Sequence, residues 1–307
     1  MYTGRFAPSP TGLLHYGSLV AALASWLDAR AAGGRWLVRI EDLDAPRSRA
    51  EMSGAILRQL DALALDWDGP VVYQSTRLDC YRGALERLQR AGHAYWCGCT
   101  RKEIEDSATR FNDAGAARIA NRVYPGVCRN GIRPGGTPRA VRVRTNGDPI
   151  HFIDRVQGET VQVVEREVGD FVAYRADGVH AYQLAVVVDD AEQGVTDVVR
   201  GADLLASTPR QILLQRLLGY TTPRYLHLPV AVDETGIKLS KQSGAKAVSA
   251  ARPADALRAA LEFLGLGGAP ASEHPRDVLL WARERWSAHR VPAVHAAPWR
   301  PSVRVEP

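Results

Sequence analysis

The chain has 307 residues, 46% of them hydrophobic and 24% charged, which suits about two compact units and excludes a wholly disordered chain. No apolar run approaches the roughly 18–20 residues of a membrane helix. The formal charge of +5, from 39 basic and 34 acidic residues, permits a nucleic-acid partner without requiring one. The start, Met1-Tyr-Thr-Gly-Arg-Phe6, lacks the basic segment and apolar core of a signal peptide, and a cytoplasmic protein is expected.

The first 90 residues alternate strand and helix. Thr3–Ala7 reads as a strand ending in the rigid turn Pro8-Ser-Pro-Thr-Gly12. A helix follows with Leu19, Val20, Leu23, Trp26 and Leu27 on one face, stopped by Gly33-Gly34. Trp36–Ile40 is a buried strand, and Met52, Ile56, Leu57, Leu60 and Leu63 mark a second helix. Val71–Tyr73 is a short strand, and a third helix opens at Ser75-Thr76 and ends at Gly92. This βαβαβα rhythm predicts an α/β fold, a Rossmann-type parallel sheet with helices packed on it.

The rhythm breaks over residues 97–138, which are rich in Cys, Gly, Asn, Arg and Pro. Short β segments follow at Ala140–Arg144, His151–Ile153, Thr160–Val164 and Phe171–Tyr174, as expected of an insertion. The α/β rhythm returns with Ala181–Val188, Thr196–Arg200, a helix near Thr208–Leu218 and a strand at Tyr225–Val232. Pro253–Leu264 makes a helix, and the prolines at 292, 298, 301 and 307 mark an irregular tail. The expected division is 1–96 and 181–245 for two halves of a catalytic domain, 97–180 for an inserted zinc-binding and acceptor-type subdomain, and 246–307 for a small helical subdomain and tail.

Two motifs carry chemistry. Arg5-Phe-Ala-Pro-Ser-Pro-Thr-Gly-Leu-Leu-His-Tyr-Gly-Ser18 joins the first strand to the first helix, the place where α/β folds bind nucleotides. Taken alone, His15 there reads as a helix cap. Only four residues are lysine against 35 arginines, and two of the four fall in Lys238-Leu-Ser-Lys-Gln242, where a compact ammonium is wanted. Taken alone, that segment reads as a solvated loop.

As a pair, the two motifs resemble the signatures of class I aminoacyl-tRNA synthetases, specifically the glutamyl group. The resemblance runs over about residues 2–265 and takes in Arg39-Ile-Glu-Asp-Leu-Asp44, Gln183–Asp190 and Val199–Leu204. It implies activation of L-glutamate by ATP with Mg²⁺, without tRNA. His15 and Lys241 would be catalytic, with Gly17, Ser18, Lys238 and Ser240 also at the ATP. Glutamate would be held by Arg5, Phe6, Ala7, Pro8, Ser9, Glu41, Tyr182 and Arg200. In that set Glu41 pairs the ammonium and the two arginines divide the carboxylates. The sequence departs from the pattern at Ser18, where many class I enzymes carry a second histidine, and at Gln242, where serine is commoner.

Four cysteines are too few for a disulfide scaffold. Cys97, Cys99 and Cys128 bracket one segment and form a plausible structural zinc site. The chemistry of the sequence leaves the fourth ligand open among His93, Asp106 and Asp113; the family resemblance implies Tyr124. Cys80 reads as a small buried side chain.

Only 65 residues follow Gln242, which is short for the large anticodon-binding region of a glutamyl-tRNA synthetase. The resemblance is therefore to the truncated paralogues, the glutamyl-Q tRNA(Asp) synthetases, and implies transfer of glutamate to the queuosine base of tRNA(Asp) by a monomeric enzyme. Arg101, Arg110, Arg118 and Arg122 are candidates for the RNA phosphates. The alternatives are charging of a tRNA 3′ end, another adenylyltransferase, or a non-catalytic RNA-binding relative, which should have lost His15 or Lys241.

Overall fold

A computed structural model describes residues 1–44, 46, 48–100, 102–104, 123–239, 248 and 251–299. Ser240 and Lys241 of the lysine motif, and Arg101, Arg110, Arg118 and Arg122, lie outside the described residues, as do Asp106 and Asp113.

Three strands open the fold: β1 (Thr3–Phe6), β2 (Arg35–Ile40) and β3 (Val72–Tyr73), parallel in the order β1-β2-β3. Between them run α1 (Tyr16–Ala31) and α2 (Ala50–Ala62), and α3 (Leu78–Arg90) follows a single 3₁₀ turn. Next, β4 (Ala94–Cys97), β5 (Ala140–Val143) and β8 (Phe171–Tyr174) make a separate antiparallel sheet. The hairpin of β6 (Ile150–Asp154) and β7 (Gly158–Gln162) does not join them. It extends instead the second half of the parallel layer, in the order β7-β6-β10-β9, where β9 is Asp197–Gly201 and β10 is Arg224–Leu228. A short helical turn, α4 (Val164–Glu167), leads back to β8.

The two halves meet at β1 and β9, where the Thr196 amide donates to the Thr3 carbonyl at 2.9 Å and the Thr3 amide to Thr196 Oγ1 at 2.9 Å. Read across that junction, the parallel strands run β3-β2-β1-β9-β10-β6. Strand order reverses between β1 and β9, and the crevice beyond the carboxyl ends there is where open α/β sheets bind ligands.

The segment Ala181–Val188 resolves into helix α5, Tyr182–Glu192, whose residues 184–190 are all buried. A continuous apolar run does not by itself distinguish a buried strand from a buried helix. Tyr225–Val232 breaks at Pro229 into β10 and β11 (Val230–Val232), since proline has no amide for the ladder. α6 (Thr208–Leu218) ends on Gly219 at φ 69°, a left-handed cap.

Ten of the sixteen residues of α1 are buried because both its sides are covered. β1, β2 and β9 lie on one side, and α7 (Pro253–Phe263) and α8 (Pro275–Arg285) on the other. Within the segment expected to be an irregular tail, Ala296–Pro298 forms β12, parallel to β11. Trp299 stacks on Tyr16 with ring centroids 4.7 Å apart. Cys80 is only half-buried, packed at the edge of the second core. Among the described residues no helix is long and apolar enough to cross a membrane.

Candidate active site and a cysteine cluster

A cleft of about 490 Å³ opens at the β1/β9 junction. From β1 and its turn it takes Arg5, Phe6, Ala7, Pro8 and Ser9; from the start of α1, His15, Gly17 and Ser18; from the second half, Tyr182, Arg200 and Lys238. The first signature thus meets the described start of the second, Lys238-Leu239, at one cleft. Glu41 is not among the lining residues: its carboxylate turns to Arg39 Nη2 at 3.3 Å.

His15 is both cap and lining. Its Nδ1 accepts the Ser18 amide at 3.3 Å, and its Nε2 lies 3.0 Å from Ser18 Oγ. Gly17 sits at a close approach. A Cβ there would lie 3.2 Å from the His15 ring and 3.3 Å from the Leu239 carbonyl, so a side chain needs the ring and the lysine segment to give by a few tenths of an ångström. A second tie joins the first motif to Val248, beyond the lysine motif. Buried Gln59 accepts the Leu14 amide at 2.8 Å and donates to the Val248 carbonyl at 3.1 Å, while the Val248 amide donates to the Leu14 carbonyl at 2.8 Å. Lys238 Nζ pairs with Asp203 at 2.5 Å.

The arginines of the cleft are held from behind. Arg5 Nε donates to Asp190 at 3.0 Å, and Arg39 Nη1 shares the same oxygen at 2.8 Å. Arg5 and Arg39 are 3% and 0% exposed. Buried Asp189 in turn accepts from Arg77 at 2.6 Å, Gln74 at 2.8 Å and Tyr81 at 2.9 Å. Burial pushes the Glu41 carboxyl above its ordinary range, and Arg39 and Arg5 offset this only in part. Burial pushes Asp190 up as well, but Arg5 and Arg39 more than compensate and hold it below its ordinary value. Such a cluster is costly to break, because each charge removed strands its partner in low dielectric.

Arg200, 5% exposed, is oriented by two residues that motif reading did not reach. Its Nε donates to His227 Nε2 at 3.0 Å and its Nη2 to Thr208 Oγ1 at 2.8 Å. Its Nη1 is buried without a hydrogen-bond partner. Since a guanidinium only donates, His227 Nε2 must accept, and the imidazole proton sits on Nδ1. That Nδ1 faces Asp154 Oδ2 at 2.6 Å. Asp154 Oδ1 accepts three backbone amides, from Val156, Gln157 and His227. Burial, with help from Arg200, keeps the His227 pKa below its ordinary value, so the ring is neutral. A polar residue between Leu226 and Leu228 in a buried strand was the available signal, since buried polar groups need partners.

The cysteines also converge. The Sγ atoms of Cys97, Cys99 and Cys128 all lie within 4.8 Å of one another, with Cys99 to Cys128 at 3.5 Å. Tyr124 Oη is 3.4 Å from Cys97 Sγ and 3.7 Å from Cys99 Sγ, and takes the Cys128 amide at 3.0 Å. Tetrahedral zinc with bonds of about 2.3 Å to sulfur and 2.0 Å to oxygen requires S···S near ~3.8 Å and S···O near ~3.5 Å. The donor set fits. Arg142 stacks over the Tyr124 ring at 3.8 Å. Burial pushes the Cys97 thiol up, but hydrogen bonds from Tyr124 and Arg142 bring it below its ordinary value, whereas burial takes Cys99 up to about 12. His93 is not part of the cluster.

Residues 2–278 match the family described as tRNA synthetases class I (E and Q), catalytic domain. The glutamyl-Q tRNA(Asp) synthetase of Dechloromonas aromatica is 56% identical over 293 residues, covering 95% of this chain and 96% of its own length. That of Cupriavidus metallidurans is 60% identical over 268 residues, 86% of this chain and 85% of its own. The chain belongs to the glutamyl-Q tRNA(Asp) synthetase family. The fold of this family member also matches the glutamate-tRNA synthetase of Elizabethkingia anophelis, with TM-score 0.79 at 24% identity, over 97% of this chain and 68% of that one. A glutamate tRNA ligase from Elizabethkingia meningosepticum, in complex with its amino acid, gives 0.77 at 24% identity, over 98% and 67%. Those two likenesses are of fold.

Proposed function

We propose that this glutamyl-Q tRNA(Asp) synthetase family member activates L-glutamate with ATP and transfers it to the queuosine base in the anticodon of tRNA(Asp). The observation that carries the substrate side is the pair of buried guanidiniums, Arg5 and Arg200, at one cleft, with Arg200 Nη1 unpaired. An amino acid with two carboxylates supplies an acceptor to each. Glu41, destabilised as a carboxylate by burial, gains from a nearby ammonium; Tyr182 and residues 6–9 shape the space between.

In the first step a glutamate carboxylate oxygen attacks the α-phosphorus of ATP, the bond to the bridging oxygen breaks, and pyrophosphate leaves. Positioning and charge stabilisation carry such a step. His15 and the start of α1, with Gly17 and Ser18, face the α-phosphate in this reading. By family resemblance Lys238, Ser240 and Lys241 would serve the leaving phosphates. Mg²⁺ bound with ATP would supply further neutralisation of phosphate charge. In the second step a hydroxyl of the queuosine diol attacks the activated carbonyl, AMP leaves, and the hydroxyl proton passes to solvent. One zinc held by Cys97, Cys99, Tyr124 and Cys128 would pin the start of the 97–180 subdomain to its sheet; its role is structural.

The test is labelled glutamate with ATP and either tRNA(Asp) or tRNA(Glu). Labelling of queuosine-bearing tRNA(Asp) that survives removal of the 3′-terminal adenosine is expected. Labelling of tRNA(Glu), or loss of label on trimming, points to 3′-end charging instead. Pyrophosphate exchange with glutamate and ATP alone is expected, and Lys241→Ala should lower it by ~10²-fold or more.

A further inference from the structure

We propose that a second groove, beside the catalytic cleft, is a subsite for an unpaired nucleobase of the RNA substrate, the neighbour of the nucleotide that enters the cleft. This rests on the reading that the acceptor is a tRNA. The groove encloses about 430 Å³, within the range of small-ligand sites. Its walls come from four places: Leu43 after β2, Leu78 and Arg82 on α3, Trp96 on β4, and Tyr174 and His180 around the end of β8.

Trp96 is 43% exposed and Leu78 44%. Single exposed apolar side chains are ordinary; two in one concave site, with a row of rings behind, mark a binding surface. Trp96 meets Tyr174 edge to face at 6.4 Å and 87°. Tyr174 meets His180 at 5.2 Å, and His180 meets Tyr81 at 5.6 Å. The edge contact with Tyr174 gives the indole one packed side, which reduces the rotamer freedom lost when a base stacks on it. Arg82 also lines the groove, its side chain 63% exposed and paired with exposed Asp79 at 2.9 Å. Such a pair is weak enough to exchange for a phosphate.

Position selects the occupant. His180 of the groove is two residues before Tyr182 of the cleft. Two residues of extended chain span about 7 Å, so the groove and the amino-acid site share a thin wall. A ligand reaching both must be extended and carry planar groups at short intervals with anionic links. Single-stranded RNA has that form, and proteins read it by stacking bases on aromatic side chains.

The experiment compares wild type, Trp96→Ala, Trp96→Phe and Leu78→Glu. Glutamate transfer to tRNA(Asp) gives the KM for tRNA, and pyrophosphate exchange without tRNA reports activation. Trp96→Ala and Leu78→Glu should each raise the KM for tRNA about 5-fold or more, with exchange unchanged, and Trp96→Phe should stay near wild type. A KM within twofold of wild type in both disruptive variants overturns the subsite. A direct reading uses a seven-nucleotide unstructured RNA as probe. It should quench the fluorescence of wild type more than that of Trp96→Ala, and equal quenching likewise overturns the proposal. Wild type that labels no tRNA while the RNA still quenches Trp96 would overturn the tRNA-acceptor reading and leave the groove standing.

Discussion

Asp154→Asn is an isosteric change two residues removed from the cleft, and the hydrogen bonds fix its consequence. The oxygen that accepts the amides of Val156, Gln157 and His227 must remain oxygen, so the new NH₂ takes the place of Oδ2 and faces His227 Nδ1. That nitrogen then has to accept. The imidazole proton moves to Nε2, where it confronts the Arg200 Nε–H now donating across 3.0 Å. Arg200 loses that acceptor while Thr208 still holds Nη2. A hydrogen bond to a charged group contributes about 1.5–3 kcal/mol, which corresponds to about 10- to 150-fold in affinity. The expected result is a rise of that size in the KM for glutamate in pyrophosphate exchange, with the KM for ATP within twofold of wild type. Thermal unfolding establishes that the variant is folded. A folded variant whose glutamate KM moves less than threefold would refute the tautomer reasoning.

Acid should destabilise the fold in two stages. His227 in the folded chain has its pKa below the ordinary 6.5 through burial, so below that pH the unfolded chain binds a proton that the folded chain refuses; this contribution is complete above 6.5 and lost as pH falls. Asp154 follows lower down: burial raises it, the bonds from His227 and the Gln157 amide prevail, and it sits at about 2 against 3.8, a contribution of about 2 kcal/mol lost between those values. Urea midpoints at pH 7.5 and 5.5 should differ, and His227→Gln should reduce the difference; an identical slope in the variant contradicts the assignment. Metal analysis of protein purified without added metal should give one zinc per chain, lost in Cys99→Ser with a fall in Tm. Gln59→Ala leaves the Leu14 amide and the Val248 carbonyl without their side-chain partner, which should cost about 1–3 kcal/mol in a denaturant titration and raise the KM for ATP; a change under 0.5 kcal/mol would show that the tie is not needed.

The local elements of the first half were legible because β1, α1 and β2 are apolar runs separated by strong turn signals, Pro8–Gly12 after β1 and Gly33-Gly34 after α1. Arg5, His15, Tyr182 and Arg200 were found because each sits inside a recognisable motif, and the structure gathers them at one cleft. What escaped was non-local. Nothing near Asp154 in sequence announces His227, 73 residues away. The β6–β7 hairpin reads like any hairpin, and only pairing with β10 assigns it to the parallel layer. Glu41 follows the end of β2, but its orientation depends on Arg39, whose side chain is hidden inside a buried strand. The strand at Ala296–Pro298 contains a proline that argues locally against it and is tolerated at a sheet margin.

The pairing of β12 with β11 gives the far end of the chain a say in catalysis. Val232 bridges to Lys238 across the turn at 233–237, and the Trp299 amide donates to the Val232 carbonyl at 2.8 Å while its ring rests on Tyr16, the first residue of α1. The segment before residue 300 therefore works as a buttress for the base of the lysine loop. A purification tag joined close behind it, or a protease nick ahead of residue 296, would be felt as altered turnover of ATP, long before any loss of overall folding.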